Sequence, residues 1–201
     1  MGAVRNPIDR YRHSKGDSPL SPANVWHPGL DEEIKALPAE KLADGYPDGY
    51  RSAQAWKAAL HLWNDSLGAA HEIVEDMDTP TGAALHGIVH RRRGDYFNAK
   101  DWLRIAGDHP AYHGLQARAA AYLARREAPS GPLRTVFEQI ATQGNWNPYL
   151  FANAVEIHES RVGDDGSEEF LERLQRLELE AFMKYLEGRI ALERAPVYMA
   201  E

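Results

Sequence analysis

From residue 52 onward, the apolar side chains recur at the three- and four-residue steps of an α-helix. In the first stretch these steps alternate, which places one set of side chains on a single helix face. The set is Trp56, Leu60, Trp63, Leu67, Ala70, Val74 and Met77. No segment shows the two-residue alternation that is typical of a half-buried strand. The pattern therefore predicts an all-α fold.

Breaks in this periodicity divide the chain into helices. Asn64-Asp65 interrupts the first stretch with residues that favour caps and turns. We therefore expect two helices there, at about 52–63 and 66–77, with one long helix as the alternative. Residues 45–50 and 78–82 contain prolines and are expected to be a turn and a break. The later helices are expected at about 82–92, 96–106, 113–126, 132–143, 148–161 and 167–194.

The first 50 residues have a different composition. They hold six of the twelve prolines and little helical periodicity before the stretch DEEIKALPAEKLA. We expect residues 1–50 to form an extended arm with short helices, lying over one α-helical domain at 51–201. A chain of 201 residues is long enough to bury a core of its own.

Composition argues against several classes of function. There is no cysteine, which excludes disulfides and thiolate metal sites and is typical of a cytoplasmic protein. The net charge is −7 and the densest basic run is only Arg91–Arg93, so a nucleic-acid partner is not expected. No segment has the apolar length of a membrane span, and the N-terminus lacks the apolar core of a secretory signal.

Residues 94–110, GDYFNAKDWLRIAGDHP, resemble the second helix of a tetratricopeptide hairpin. The turn, the apolar face and the closing proline of that pattern are matched by Gly94-Asp95-Tyr96, by Ala99, Leu103 and Ala106, and by Pro110. Residues 66–80 resemble the same unit, and the 30 residues from Pro80 to Pro110 are fewer than in the standard repeat. The resemblance implies an irregular stack of helical hairpins over about 52–110.

The same resemblance singles out two histidines. A tetratricopeptide first helix carries Leu-Gly-x-x-Tyr at its inward positions, where this chain has His86-Gly87-Ile88-Val89-His90. It implies that both imidazoles point into the stack and that Gly87 lets a neighbouring helix approach closely. A buried imidazole is costly unless it has a hydrogen-bond partner or a metal.

The block also resembles a set of uncharacterised bacterial and fungal proteins that share a His-x-x-x-His-Arg-Arg run before an Asn-Ala-Lys-x-Trp helix. The matching residues here are His86, His90, Arg91, Arg92, Asp95, Asn98, Ala99, Lys100, Trp102, Gly107 and His109, with residues 70–73 upstream. This second resemblance implies shared architecture and no particular reaction.

His86 and His90 are four residues apart, a spacing at which two imidazoles on one helix can bind one cation. His71 is the expected third ligand and Glu75 the expected carboxylate, with Asp108 and His109 as further options. Such a set suits zinc or non-haem iron with one open position. Gly87 stands where a His-Glu-x-x-His protease has its general base, which excludes that class.

The sequence is compatible with two hypotheses of function. In the first, the protein is a metal-dependent or histidine-based enzyme acting on a small molecule, with His86 or His90 as general base and Arg92 (or Arg91 or Arg104) binding an anionic group. In the second, it is a tetratricopeptide-like scaffold that binds a peptide or protein partner.

Purely structural interpretations accompany both readings. The histidines would then be paired with Glu75 or Asp101, and Arg91–Arg93 would be a solvated helix end. The long last helix would pack internally or pair across a homodimer.

Overall fold

The computed structural model describes residues 6–43, 47–129, 131–161 and 166–193. Within them the chain forms ten α-helices, two short 3-10 helices and no strand, which confirms the all-α class. The α-helices are α1 (Pro28–Lys35), α2 (Ala39–Ala43), α3 (Pro47–Trp63), α4 (Leu67–Val74), α5 (Pro80–Arg92), α6 (Tyr96–Ala106), α7 (Leu115–Leu123), α8 (Arg134–Thr142), α9 (Pro148–Arg161) and α10 (Ser167–Glu193). In this described part, no helix combines the length and apolar character that a bilayer span requires.

The predicted break at Asn64-Asp65 is confirmed, because α3 ends at Trp63 and α4 begins at Leu67. Asp65 turns the chain with a φ of 61°, in the left-handed region that Asn and Asp tolerate better than most residues. The turn predicted over 45–50 is wrong from Pro47 onward, since α3 begins there, while residues 44–46 lie outside the described part.

The break predicted over 78–82 ends earlier than expected, because α5 begins at Pro80. Proline fits the first turn of a helix, where its missing N–H would have no helical partner anyway. Thr79 caps this end, with its hydroxyl oxygen accepting from the backbone N–H of Gly82 at 3.0 Å.

The N-terminal residues lie on the helical body and share its core. Ile8, Leu20 and Leu30 are buried in the same apolar cluster as the residues of α3 and α10. Lys15 is buried too, and its ammonium donates to the carbonyl of Trp63 and to Asp65 Oδ2, the latter at 2.7 Å.

Helices α5 and α6 form the hairpin that positions the candidate site. The chain reverses at Gly94, whose φ is 75°, and Asp95 caps α6 by accepting from the N–H of Asn98. At Gly87 the two helices meet so closely that a Cβ would lie 2.7 Å from Leu103 Cγ. Glycine is therefore required there on steric grounds. Helix α4 packs against α5 and brings its own side chains to the same place.

Candidate metal centre

Three histidines converge between α4 and α5. His71 comes from α4, while His86 and His90 lie one turn apart on α5. One ring nitrogen of each lies within 4.8 Å of the other two, and Nε2 of His71 and Nε2 of His86 are 3.1 Å apart. The four-residue spacing puts two imidazoles on one face of α5, and the packing of α4 supplies the third.

The ring of His86 is held by stacking on both faces. Trp102 from α6 lies nearly parallel to it, with ring centroids 4.2 Å apart and planes 19° apart. On its other side the centroid of His90 is 4.8 Å away at 20°. His86 is only 5% exposed, so these contacts fix the direction of its ring nitrogens. The close approach at Gly87 is what allows α6 to bring Trp102 this near.

Carboxylates contact the far nitrogens of the two outer histidines. Nδ1 of His90 lies 3.0 Å from Asp95 Oδ2, and Nδ1 of His71 lies 3.4 Å from Glu75 Oε2. A carboxylate at Nδ1 favours the proton on that nitrogen and leaves a lone pair at Nε2. Glu75 was predicted as a metal ligand, but the structure places it against the back of His71 and outside the convergent set.

Burial and neighbouring positive charge favour the neutral forms of His71 and His86. Burial lowers the pKa of His86 to about 4, with further lowering by the charges of His90, His71 and Arg93. The pKa of His71 is also lowered, chiefly by burial and then by the charge of Arg93. Both rings are therefore neutral at pH 7, and the neutral imidazole is the form that binds a metal.

His86 has two neutral tautomers, which differ in how Nε2 can face His71. Nδ1 of His86 is buried and has no hydrogen-bond partner. Without a cation, Nε2–H of His86 donates to Nε2 of His71, and the lone pair at Nδ1 stays unsatisfied. If a cation lay between the rings, both Nε2 atoms would have to offer lone pairs, and the proton of His86 would have to lie on Nδ1. Binding of a cation at this cluster would therefore be coupled to the position of a single proton.

Arg92, which was predicted to bind an anionic group, is committed elsewhere. Its guanidinium donates to Asp65 Oδ1 and to the carbonyl of Leu62, both at 2.6 Å, and to the carbonyl of Pro19 at 3.3 Å. The interpretation of Arg91–Arg93 as a solvated helix end is wrong for the first two arginines, which are 0% and 1% exposed. The reason is that α5 packs against α3, α4 and α6, so few of its faces remain in solvent.

The arginine beside the cluster is Arg93, which the sequence prediction missed. It is exposed, and its guanidinium donates to the carbonyl of Leu67, one helical turn before His71, at 3.2 Å. Its charge is among the causes that lower the pKa of both His71 and His86. The sequence signal was its position after His90, but the three consecutive arginines could not be told apart without knowing which faces of α5 are buried.

The remaining candidates lie outside the cluster. His109 is buried, with Nδ1 accepting from the N–H of Ala111 at 3.1 Å and Nε2 facing the hydroxyl of Thr81 at 2.9 Å. Asp101 pairs with Arg104 at 2.8 Å, in an exposed contact on α6. Neither Asp101 nor His109 is part of the convergent set, nor is Asp108 beside it.

Comparisons with protein-family models, with curated proteins and with solved structures found no match for this chain. Its function has to be inferred from the geometry of the cluster and from the chemistry of the groups around it.

Proposed function

We propose that His71, His86 and His90 bind one divalent transition metal, zinc or ferrous iron, and that the protein is a metal-dependent enzyme acting on a small molecule. The observation that carries the proposal is the convergence of three ring nitrogens within 4.8 Å. Carboxylates behind two of the three rings add support, because metal-bound histidines usually donate their second N–H to such a group.

The distances suit a single small cation. Tetrahedral zinc with Zn–N bonds of about 2.0–2.1 Å places its ligand nitrogens about 3.3 Å apart. The 3.1 Å between Nε2 of His71 and Nε2 of His86 is close to this value. The widest pair, at up to 4.8 Å, closes to it by an inward movement of roughly 1.5 Å, which side-chain rotation supplies.

The outer edge of the cluster leaves room for a fourth ligand. The side chains of His71 and His90 are 25% and 15% exposed, whereas His86 is closed off beneath them. A three-histidine zinc site with an open position lowers the pKa of a bound water to about 7, which produces a nucleophile at neutral pH. Arg93 is the cation at this edge, and we assign it the role of binding an anionic group of the substrate.

Metal binding tests the proposal directly. We expect the purified, metal-stripped protein to bind one equivalent of zinc or cobalt(II) in calorimetric titration, with a rise in melting temperature. Cobalt(II) should give the visible absorption of a tetrahedral site. The variants H86L and H90A should lose this binding, while H13A, which removes an exposed histidine outside the cluster, should keep it.

His86→Leu separates a metal site from a purely structural pair. Leucine removes the buried Nδ1 that has no partner, so we expect the metal-free variant to be at least as stable as the wild type. A wild-type protein that binds no zinc, cobalt(II) or iron(II), together with a strongly destabilised His86→Leu variant, would refute the metal site and leave a structural histidine pair.

The scaffold alternative has one observation in its favour. Phe97 and Ile105 on α6 are 77% and 63% exposed, although both are large and apolar. Exposed apolar side chains on one helix are a feature of surfaces that bind a peptide or protein partner. Under this alternative, a partner captured on the wild-type protein would be lost from the double variant F97S/I105S and retained by H86L.

A further inference from the structure

A groove lies between the segment at residues 110–118, which includes the start of α7, and the second half of α10. Its volume is about 740 Å³, within the usual range of small-molecule sites. Its lining includes Ala111, Leu115 and Arg118 on one side and Ala181, Lys184 and Tyr185 of α10 on the other. We call it the α7–α10 groove, and it contains no residue of the three-histidine cluster.

The groove is positive although the chain as a whole is negative. Four of its lining side chains are cationic and two are carboxylates, in a protein of net charge −7. Both carboxylates are occupied: Glu180 by Arg118 and by Arg176 at 3.0 Å, and Glu187 by the amide of Asn6 at 2.6 Å. Both acids already have partners of their own, so they repel an incoming anion less than free carboxylates would.

Lys184 is the cation that remains available. Its ammonium is exposed and makes no hydrogen bond or ion pair with any residue that the structure describes. An unpaired ammonium at the edge of a concave surface has its three donors free for a carboxylate or a phosphate. Lys184 thus marks the place of the charged end of a ligand.

The rest of the surface suits an apolar body. The apolar part of the lining comes from Ala111 and Leu115 on one side and from Ala181 and Tyr185 on α10. Gly188 leaves part of the groove open, because a Cβ at this position would meet no atom within 4 Å. The volume, the apolar lining and Lys184, which has no partner among the described residues, belong to one continuous surface.

We propose that the α7–α10 groove binds an amphipathic organic anion, with its apolar body against α10 and its carboxylate or phosphate head at Lys184. The inference does not depend on a metal at the histidines. It predicts that affinity requires both parts of the ligand, because neither an apolar chain nor an anion alone uses the whole surface.

The test uses four probes on the full chain: decanoate, decyl phosphate, neutral 1-decanol and inorganic phosphate. Calorimetry should show saturable binding of at least one of the two amphipathic anions, and binding at least tenfold weaker for decanol and for inorganic phosphate. The preferred anion identifies the head group as a carboxylate or a phosphate. Equal affinity for decanol, or no binding of either anion, would overturn the proposal.

Two variants locate the site. K184Q should weaken binding of the anion at least tenfold, while R125Q, which removes an exposed positive charge outside the groove, should leave it unchanged. G188L should abolish binding by filling the groove, and it should keep or raise the melting temperature because leucine favours a helix more than glycine does. Full anion affinity in G188L would place the binding elsewhere and refute this groove as the site.

Discussion

Three consecutive residues of helix α5 have polar side chains with two different kinds of surroundings. Arg91 and Arg92 are fully buried, and Glu178 and Asp65 face them at 2.6 Å. One residue earlier, His90 belongs to a cluster in which three ring nitrogens lie within 4.8 Å of one another. Because a buried charge must be paired, each arginine has a carboxylate partner, whereas the Nε2 atoms of His71 and His86 face each other.

The difference separates two uses of polar residues in a helical protein. The arginine pairs join distant segments: Arg91 to α10, and Arg92 to the turn after α3 and to the carbonyl of Pro19. Their partners come from the protein itself, so they specify structure. His71 and His90 have carboxylates behind their rings, and a ring nitrogen of each converges with one of His86, which is the arrangement from which we propose a metal site.

Removing one arginine should have the largest effect on stability. In R92M, Asp65 keeps Lys15 but loses its other buried cation, and we expect the free energy of unfolding to fall by about 3 kcal/mol. Urea denaturation followed by circular dichroism measures this change. R93M is the matched control, since it alters the exposed neighbour and should cost less than about 0.5 kcal/mol. Equal losses in both variants would remove the distinction between them.

Adding one methyl group to Gly87 should have the next largest effect. The new Cβ would lie 2.7 Å from Leu103 Cγ and 3.1 Å from the carbonyl oxygen of Ala99, so α5 and α6 must separate. We expect G87A to lose about 2 kcal/mol of stability, as overpacked cores do. G68A on α4 is the control, because a Cβ there meets no atom within 4 Å and should be neutral or stabilising.

Gly87→Ala should also disturb the histidine cluster more than the buried arginines. Separating the hairpin moves Trp102 away from His86 and should weaken zinc binding, while Arg92 contacts segments outside the hairpin. An unchanged zinc affinity in a destabilised G87A protein would show that the stacking of Trp102 does not position His86.

Local signals fixed some of these features in advance, and long-range contacts decided the rest. The bounds of α6 were predicted at 96–106 and are confirmed as Tyr96–Ala106, because the Asp95 cap and the Gly107 stop act within one turn. The burial of Arg91 and Arg92 could not be predicted. Glu178 is 87 residues from Arg91, and Asp65 is 27 residues from Arg92.

The histidine cluster lies between these two cases. The four-residue spacing of His86 and His90 was visible in the sequence, and pairing adjacent helices was enough to add His71. The role of Asp95 as a partner of His90 was missed, since its capping function already accounted for that residue. Glu75 was assigned to the metal, because sequence spacing does not show which nitrogen of His71 it faces.

Acidification should lower the stability of the protein through His109, a buried histidine whose two ring nitrogens both contact groups of the chain. Burial lowers the pKa of His109 to about 4, so between pH 6.5 and 4 the unfolded chain takes up a proton that the folded one excludes. Stability is therefore fully present above pH 6.5 and is lost as the pH falls towards 4. Protonating Nδ1 would also displace the N–H of Ala111.

At pH 5 we expect His109 to lower the free energy of unfolding by about 1–2 kcal/mol relative to pH 7. The variant H109N does not titrate, and its side-chain oxygen can still accept from the N–H of Ala111. Urea denaturation at pH 7 and pH 5 should show a smaller loss in H109N than in the wild type. An equal loss in both proteins would assign the acid sensitivity to other groups.

Of these variants, Asp95→Asn should change stability least, and its main effect should be on zinc affinity. Asparagine caps a helix as well as aspartate does, so the bond from the N–H of Asn98 should survive and the melting temperature should hardly change. What is lost is the negative charge behind Nδ1 of His90, where Asp95 Oδ2 now lies at 3.0 Å. A metal site should then bind zinc about tenfold more weakly. D101N, which alters an acid on α6 that pairs only with Arg104 among the described residues, should leave the affinity unchanged. If Asp95 serves only as a cap, D95N and D101N will bind zinc equally well, and the carboxylate behind His90 will have no part in presenting its lone pair.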